Sequence, residues 1–277
     1  MTTFYHGYDG LLCDLDGVVY AGSQPIPNAV DTLNTLIDRG IPVGFVTNNA
    51  SKSATEVADR LVGLGVATDS KHVITSAQAV VDVLKRQYQP ADGPVLVTGS
   101  DQLTALIQTA GFAVTAVAAD APQVVVQGFN PKLGWQDLAE ASFAIQNGAG
   151  WLASNLDLTI PLAQGVAPGN GSLVNTVAQA TGKQPELAAG KPAPTMFQTV
   201  ADRFSMRQPL VVGDRLDTDV QGAVKAGFDG ALVETGIHRR ADLPAFRHIS
   251  SPTWVLPDLS ALLALPAPEH RGQHVRL

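Results

Sequence analysis

"LLCDLDGVVYAG", residues 11–22, decides how this chain is read. Leu11, Leu12 and Cys13 form an apolar run with the character of a buried strand, which stops abruptly at Asp14, Leu15, Asp16 and Gly17. In an extended segment alternate side chains point the same way, so Asp14 and Asp16 face one side and repel each other. Gly17 lets the chain turn sharply away beyond them. Two acids kept together at a strand end need a compensating positive charge nearby.

Outward from this stretch, apolar runs alternate with helical patterns along almost the whole chain. Strands are predicted at 10–14, 41–47, 72–75, 95–98, 113–117, 123–127, 151–154, 210–213, 231–234 and 254–255. Helices are predicted at 28–39, 53–63, 77–87, 102–110, 136–147, 172–181, 194–204 and 218–226. That alternation is the pattern of βαβ units, and it predicts an α/β fold with a doubly wound, Rossmann-like parallel sheet.

The chain has 277 residues, 45% hydrophobic and 16% charged, a composition that supports one large or two modest packed domains. Its formal net charge of −7, with no basic block, does not favour nucleic acid or an anionic membrane surface. The opening "MTTFYHGYDG" lacks the charged-then-apolar layout of a secretory signal, which leads to a cytoplasmic expectation. The single cysteine, Cys13, excludes an internal disulfide and is expected to be a small buried strand residue. His270 and His274 have helical metal-ligand spacing, but Pro266, Pro268 and Gly272 around them read as a frayed polar end.

Polar residues appear abruptly in four places: "DLDG" at 14–17, "VTNNAS" at 46–51, "AGKPAP" at 189–194 and "VVGDRLDTDV" at 211–220. Singly, each reads as a turn, a helix cap, a loop or a solvated helix start. Three of them follow predicted strands, and ligands of open parallel sheets bind outside the carboxyl ends of the strands. Together they collect acids, a hydroxyl with amides, and a lysine. In this order they resemble the four motifs of haloacid-dehalogenase-superfamily phosphatases. Asp14 to Val18 matches the first motif, Thr47-Asn48 the second, Lys191 the third and Gly213 to Asp219 the fourth. The wording of "FVTNNAS", "AGKPAP" and "VVGDRLDTD" is similar to the NagD-like and p-nitrophenyl-phosphatase-like branch.

The resemblance implies that Asp14 is the nucleophile and forms an aspartyl-phosphate, which splits one hard displacement into two easier ones. It implies Mg²⁺ held by Asp14, the main-chain carbonyl of Asp16 and Asp214; hard oxygen ligands suit that ion. The Asp16 side chain is then free to protonate the leaving alkoxide and to activate water. Thr47, Asn48 and Lys191 suit phosphoryl oxygens. Asp219 is expected to hold a metal-bound water or Lys191, or else to sit as an ordinary acid in a first helical turn. Arg215 and Asp217 read as a surface ion pair.

Between the second and third motifs the chain carries its own strands and helices, too much for a loop. The expected organisation is a core domain split into two segments, 1–77 and 182–277, with an inserted domain at 78–181, which the resemblance implies is a large α/β cap. The Gly/Pro-rich stretch at 153–172 reads as an irregular loop that meets substrate. Its neutral groups Thr159, Gln164 and Asn170, with Asn49 from the second motif, are candidate substrate contacts. The stretches at 125–130, 134–145 and 150–174 resemble actinobacterial members of the branch that dephosphorylate glycerol 3-phosphate. Phosphoglycolate, sugar phosphates and nucleoside monophosphates are alternative substrates. A receiver-type phospho-acceptor would lack the insertion, and a dehalogenase would need neither Asp16 nor the metal acids. A phosphomutase keeps the same acids, and a non-catalytic phosphate-binding protein is the remaining alternative. Oligomeric state is left open, with a homodimer as one option.

Overall fold

The computed structural model describes residues 7–162, 164–246, 248 and 251–263; His270 and His274 lie outside the described residues. The chain forms two compact units. The first comprises the described residues of Met1–Thr47, Ala54–Ile74 and Lys191–Leu277, and the second Asn48–Ser53 with Thr75–Gly190.

The first unit is built on a six-stranded sheet in the order Trp254–Leu256, Asp229–Val233, Pro209–Gly213, Gly10–Cys13, Val43–Thr47 and Val73–Thr75. From Trp254–Leu256 through Val43–Thr47 every pairing is parallel, with Cys13 opposite Val212 and Phe45. Both faces are covered, which explains why Gly10–Cys13 is apolar at every position. Leu11 and Cys13 face a core completed by Leu33 and Leu36 of the helix Ala29–Asp38, and by Val57 and Leu61 of Ala54–Gly63. Strand order reverses at Gly10–Cys13, where one crossover leads to Val43–Thr47 and the other neighbour is Pro209–Gly213. Asp14 therefore emerges at the switch point, where such sheets bind ligands.

The second unit has a five-stranded parallel sheet in the order Leu187–Ala188, Gly150–Ala153, Val124–Gln127, Val95–Thr98 and Val114–Thr115. The helices Trp135–Gln146 and Asn170–Thr181 pack Ala141, Ile145, Val174 and Val177 against Leu96, Val125 and Trp151. Leu187–Ala188, expected on the core side of a boundary at 181, pairs with Gly150–Ala153 and extends this second sheet.

Two local readings are corrected. The irregular loop expected within 153–172 contains an antiparallel hairpin, Thr159–Leu162 with Gly165–Pro168. Pro161 and Pro168 hid its alternation, yet a two-stranded ribbon tolerates proline because both strands are edges. The helix expected over 218–226 begins as a π turn, Leu216–Val220, and becomes regular only at Gln221–Ala226.

Candidate active site

Strand ends of the first sheet deliver the charged groups to one place. Asp14 follows Gly10–Cys13, and Asp214 follows Pro209–Gly213. Lys191 arrives from a loop whose Lys191–Pro192 peptide bond is cis. Its ammonium lies 2.6 Å from Asp14 Oδ1 and 2.7 Å from Asp219 Oδ1, and it reaches the Val46 carbonyl at 3.4 Å. Val46 precedes Thr47, itself buried at the end of Val43–Thr47. One carboxylate oxygen from each of Asp14, Asp214 and Asp219 lies within 4.8 Å of the other two.

The π turn aims Asp219. Both the Asp219 and the Val220 amides donate to the Arg215 carbonyl, each at 3.1 Å, so the turn holds one residue more than an α turn. Asp219 Oδ2 in return accepts from the Arg215 amide at 3.1 Å, leaving Oδ1 for Lys191. Asp219 does lie in a first turn, as the alternative reading has it, but at 1% exposure it is buried against Lys191. Arg215 and Asp217 form the expected pair, a fork with bonds of 3.0 and 2.8 Å, and this fork holds the Asp217 carboxyl below its ordinary range against the opposing effect of burial. Gly17, with φ of +80°, runs its backbone so close to Asp214 that a Cβ there would collide with the carboxylate.

Electrostatically the cluster is overloaded with negative charge. Burial pulls the Lys191 ammonium down, but Asp14 and Asp219 outweigh it and hold the lysine well above its ordinary range. Burial pushes the Asp14 carboxyl well up; Lys191 opposes this, and the neighbouring Asp219 and Asp214 add to it. Asp214 is pushed up to about 7 by burial and Asp219, although the Ile237 amide donates to its Oδ2 at 2.8 Å.

Asp16 differs from the others in being exposed. Its surroundings still desolvate it enough to raise its carboxyl, while Arg60, Lys191 and a hydrogen bond from Tyr20 favour the ionised form. The Arg60 guanidinium sits 3.6 Å over the Tyr20 ring, so Asp16, Tyr20 and Arg60 form one polar group at the strand end. Sequence reasoning missed Tyr20 and Arg60. Tyr20 had a usable signal, four residues after Asp16 across a tight turn, whereas nothing marked Arg60 within its helix.

The remaining candidates belong to the second unit. Asn48 is half-buried and held by its neighbours there. Asn49 Oδ1 accepts from the Ser51 amide and hydroxyl at 2.8 and 2.7 Å. Thr159, on a hairpin strand, and Gln164, beyond its end, are both exposed. Asn170 is corrected as a substrate contact: it is 2% exposed, and its amide donates to the Asn155 carbonyl at 2.7 Å. Sequence placed it in an irregular loop ahead of a helix at 172, where it looked accessible, but the helix begins at Asn170 and its first turn is held under the preceding loop.

Three buried carboxylates against one buried ammonium leave an excess of negative charge made entirely of hard oxygen donors. That donor set fits a hard divalent cation. A bound cation would favour the ionised forms that burial now disfavours.

Residues 11–113 match the model of haloacid dehalogenase-like hydrolases, and residues 188–262 match a second model described as HAD-hydrolase-like. A D-glycerol 3-phosphate phosphatase of Mycobacterium tuberculosis is 42% identical over 262 residues, covering 95% of this chain and 73% of that one. The crystal structure of glycerol phosphate phosphatase from that organism in complex with magnesium superposes with a TM-score of 0.88 at 41% identity, over 95% of this chain and 78% of that one. A 5'-nucleotidase of Bacillus subtilis, YutF, is 34% identical over 235 residues, 84% of this chain and 90% of that one. A Thermotoga maritima 4-nitrophenylphosphatase structure gives a TM-score of 0.84 at 27% identity, over 93% of this chain and 97% of that one. Among the described residues no helix is long and apolar enough to cross a membrane.

Proposed function

The chain belongs to the haloacid dehalogenase-like hydrolases, and we propose that it is a magnesium-dependent phosphomonoesterase whose favoured substrate is glycerol 3-phosphate. The observation that carries the reading is Asp14 paired with Lys191 inside a cluster of three carboxylates.

An Asp14 oxygen attacks phosphorus, the phosphorus–ester oxygen bond breaks, and the phosphoryl group becomes an aspartyl-phosphate on Asp14. Asp16 gives its proton to the leaving alkoxide. It then takes a proton from the water that attacks the aspartyl-phosphate, so Asp14 is restored and inorganic phosphate leaves. The Tyr20 hydroxyl steadies Asp16 in its ionised form. Lys191, the Thr47 hydroxyl and the Asn48 main-chain amide take the phosphoryl oxygens. Asp14, Asp214 and the Asp16 main-chain carbonyl would hold Mg²⁺, with Asp219 on its bound water or on Lys191, and the ion would offset the charge of the carboxylates and of the phosphate dianion.

The substrate rests on the mycobacterial relative and on the chemistry of residues 153–172. That stretch holds no Arg, Lys or aromatic residue to pair with a second anion or stack on a base, and it offers Thr159 and Gln164, neutral groups suited to hydroxyls. The Bacillus relative favours a second reading, nucleoside monophosphates. Measuring kcat/KM with Mg²⁺ for glycerol 3-phosphate, phosphoglycolate, sugar phosphates and UMP separates the two. Preference for UMP would replace the polyol reading, and no hydrolysis of any ester would end the phosphatase reading.

A further inference from the structure

Asn48 follows Thr47 directly, and Gly190 directly precedes Lys191. The two residues meet within the second unit: a Cβ added at Gly190 would lie 2.7 Å from Asn48 Oδ1 and 2.6 Å from the Ser154 carbonyl. Gly190 is fixed there by its own amide, which donates to that carbonyl at 2.7 Å.

Asn48 is gripped at both ends. Its main-chain carbonyl accepts from Ser76 Oγ at 2.6 Å and from Asn155 Nδ2 at 2.7 Å. Its Nδ2 lies 3.0 Å from both oxygens of Asp157. An ionised carboxylate only accepts hydrogen bonds, so Asp157 dictates the amide orientation: NH₂ toward Asp157, Oδ1 over Gly190. Asp157 is itself set by a turn in which its amide donates to Asn155 Oδ1 at 3.1 Å. Asn170 Nδ2 in turn holds the Asn155 carbonyl at 2.7 Å.

We propose that Asp157 is a positioning residue for the phosphate subsite: by orienting Asn48 it fixes the main chain leaving Thr47 and the segment through Gly190 that enters Lys191. The inference rests on the phosphatase reading, because it assigns Thr47, Asn48 and Lys191 to the phosphoryl group. It also accounts for buried amides in a stretch that offers its substrate other groups. Asn155 and Asn170 brace the carboxylate's turn.

The test compares Asp157→Ala and Asp157→Asn with the wild type for KM, kcat, the inhibition constant of inorganic phosphate and Tm. Losing one charge-assisted hydrogen bond behind the subsite is expected to raise KM and the phosphate inhibition constant together, by roughly tenfold in Asp157→Ala and less in Asp157→Asn, whose Oδ1 still accepts. The Mg²⁺ concentration for half-maximal activity stays unchanged. The exchange Asn48→Asp with Asp157→Asn reverses donor and acceptor and is expected to recover most of what Asn48→Asp alone loses. A purely structural role would lower Tm or the active fraction, reducing kcat while KM and the inhibition constant keep their wild-type values; that result overturns the proposal. If the wild type cleaves no ester, the phosphatase reading fails separately, and calorimetric titration with inorganic phosphate decides. Weaker binding by the variants supports the positioning role, and equal binding, or none in any protein, overturns it.

Discussion

Lys191 Nζ stands 2.6 Å from Asp14 Oδ1, and the lysine is only 4% exposed, so the proposed nucleophile is held by a buried cation before any phosphate arrives. Asp14→Asn removes the nucleophile together with one of three crowded negative charges. Turnover is expected to fall by roughly a thousandfold or more, while the metal-free Tm stays level or rises. Lys191→Met has the opposite effect on stability. It leaves Asp14 and Asp219 facing each other unpaired, and breaking such a buried pair costs about 3–5 kcal/mol. Thermal melts in EDTA check both, and a Tm drop confined to Asp14→Asn would contradict this account of the cluster.

Asp16 and Tyr20 set the acid–base step. Asp16→Asn is expected to slow turnover severely and to let aspartyl-phosphate accumulate, because water is no longer activated. Rapid-quench labelling reads this directly; normal release would remove Asp16 from the role. Tyr20→Phe is milder. The Tyr20 hydrogen bond favours the Asp16 carboxylate, so its loss raises the Asp16 pKa further. Both limbs of the pH–rate profile that depend on Asp16 are then expected to move to higher pH. An unmoved profile would separate the two residues.

Gly17 joins the turn to the proposed metal site. Gly17→Ala places a Cβ at φ of +80° against the Asp214 carboxylate. Strain of this kind costs about 1–3 kcal/mol, and here it displaces a metal acid as well. The expected signature is an increased Mg²⁺ requirement for activity, larger than the change in KM for the ester. A metal requirement equal to that of the wild type would show that Asp214 tolerates the displacement.

The features of the site that sequence made legible are those where chemistry contradicts its setting. Asp14 and Asp214 interrupt apolar strands at their ends, and burial there is hard to explain without function. Lys191 was legible only through the motif around it, since a Gly-Lys-Pro stretch reads equally well as a loop. The Tyr20–Arg60 contact spans 40 positions between a turn and a helix face and leaves no periodic trace. The π turn at Leu216–Val220 adds a single residue to an otherwise helical pattern, too little to detect, although it decides where Asp219 points. Asn170 misled for a related reason: a polar residue in a Gly/Pro-rich stretch has the same pattern whether it meets a ligand or braces a loop.

The metal-free protein should bind Mg²⁺ with a pH dependence opposite to that of its own stability. Burial and Asp219 push the Asp214 carboxyl from 3.8 up to about 7. A carboxyl raised in the native state favours folding at low pH. That contribution declines as pH rises through the unfolded value and stops declining above about 7. Metal binding requires the carboxylate, so at pH 6 the site must first release a proton, and affinity falls by up to about tenfold per unit of pH per proton displaced. The rise in Tm produced by saturating wild-type protein at pH 8 should therefore shrink at pH 6 with the same Mg²⁺ concentration. Asp214→Asn is expected to bind the ion weakly at both values and to lose the pH dependence that Asp214 carries. Equal Tm gains at pH 6 and pH 8 in the wild type would mean that Asp214 holds no proton in the metal-free state at pH 6, and the account of an overloaded cluster would fail with it.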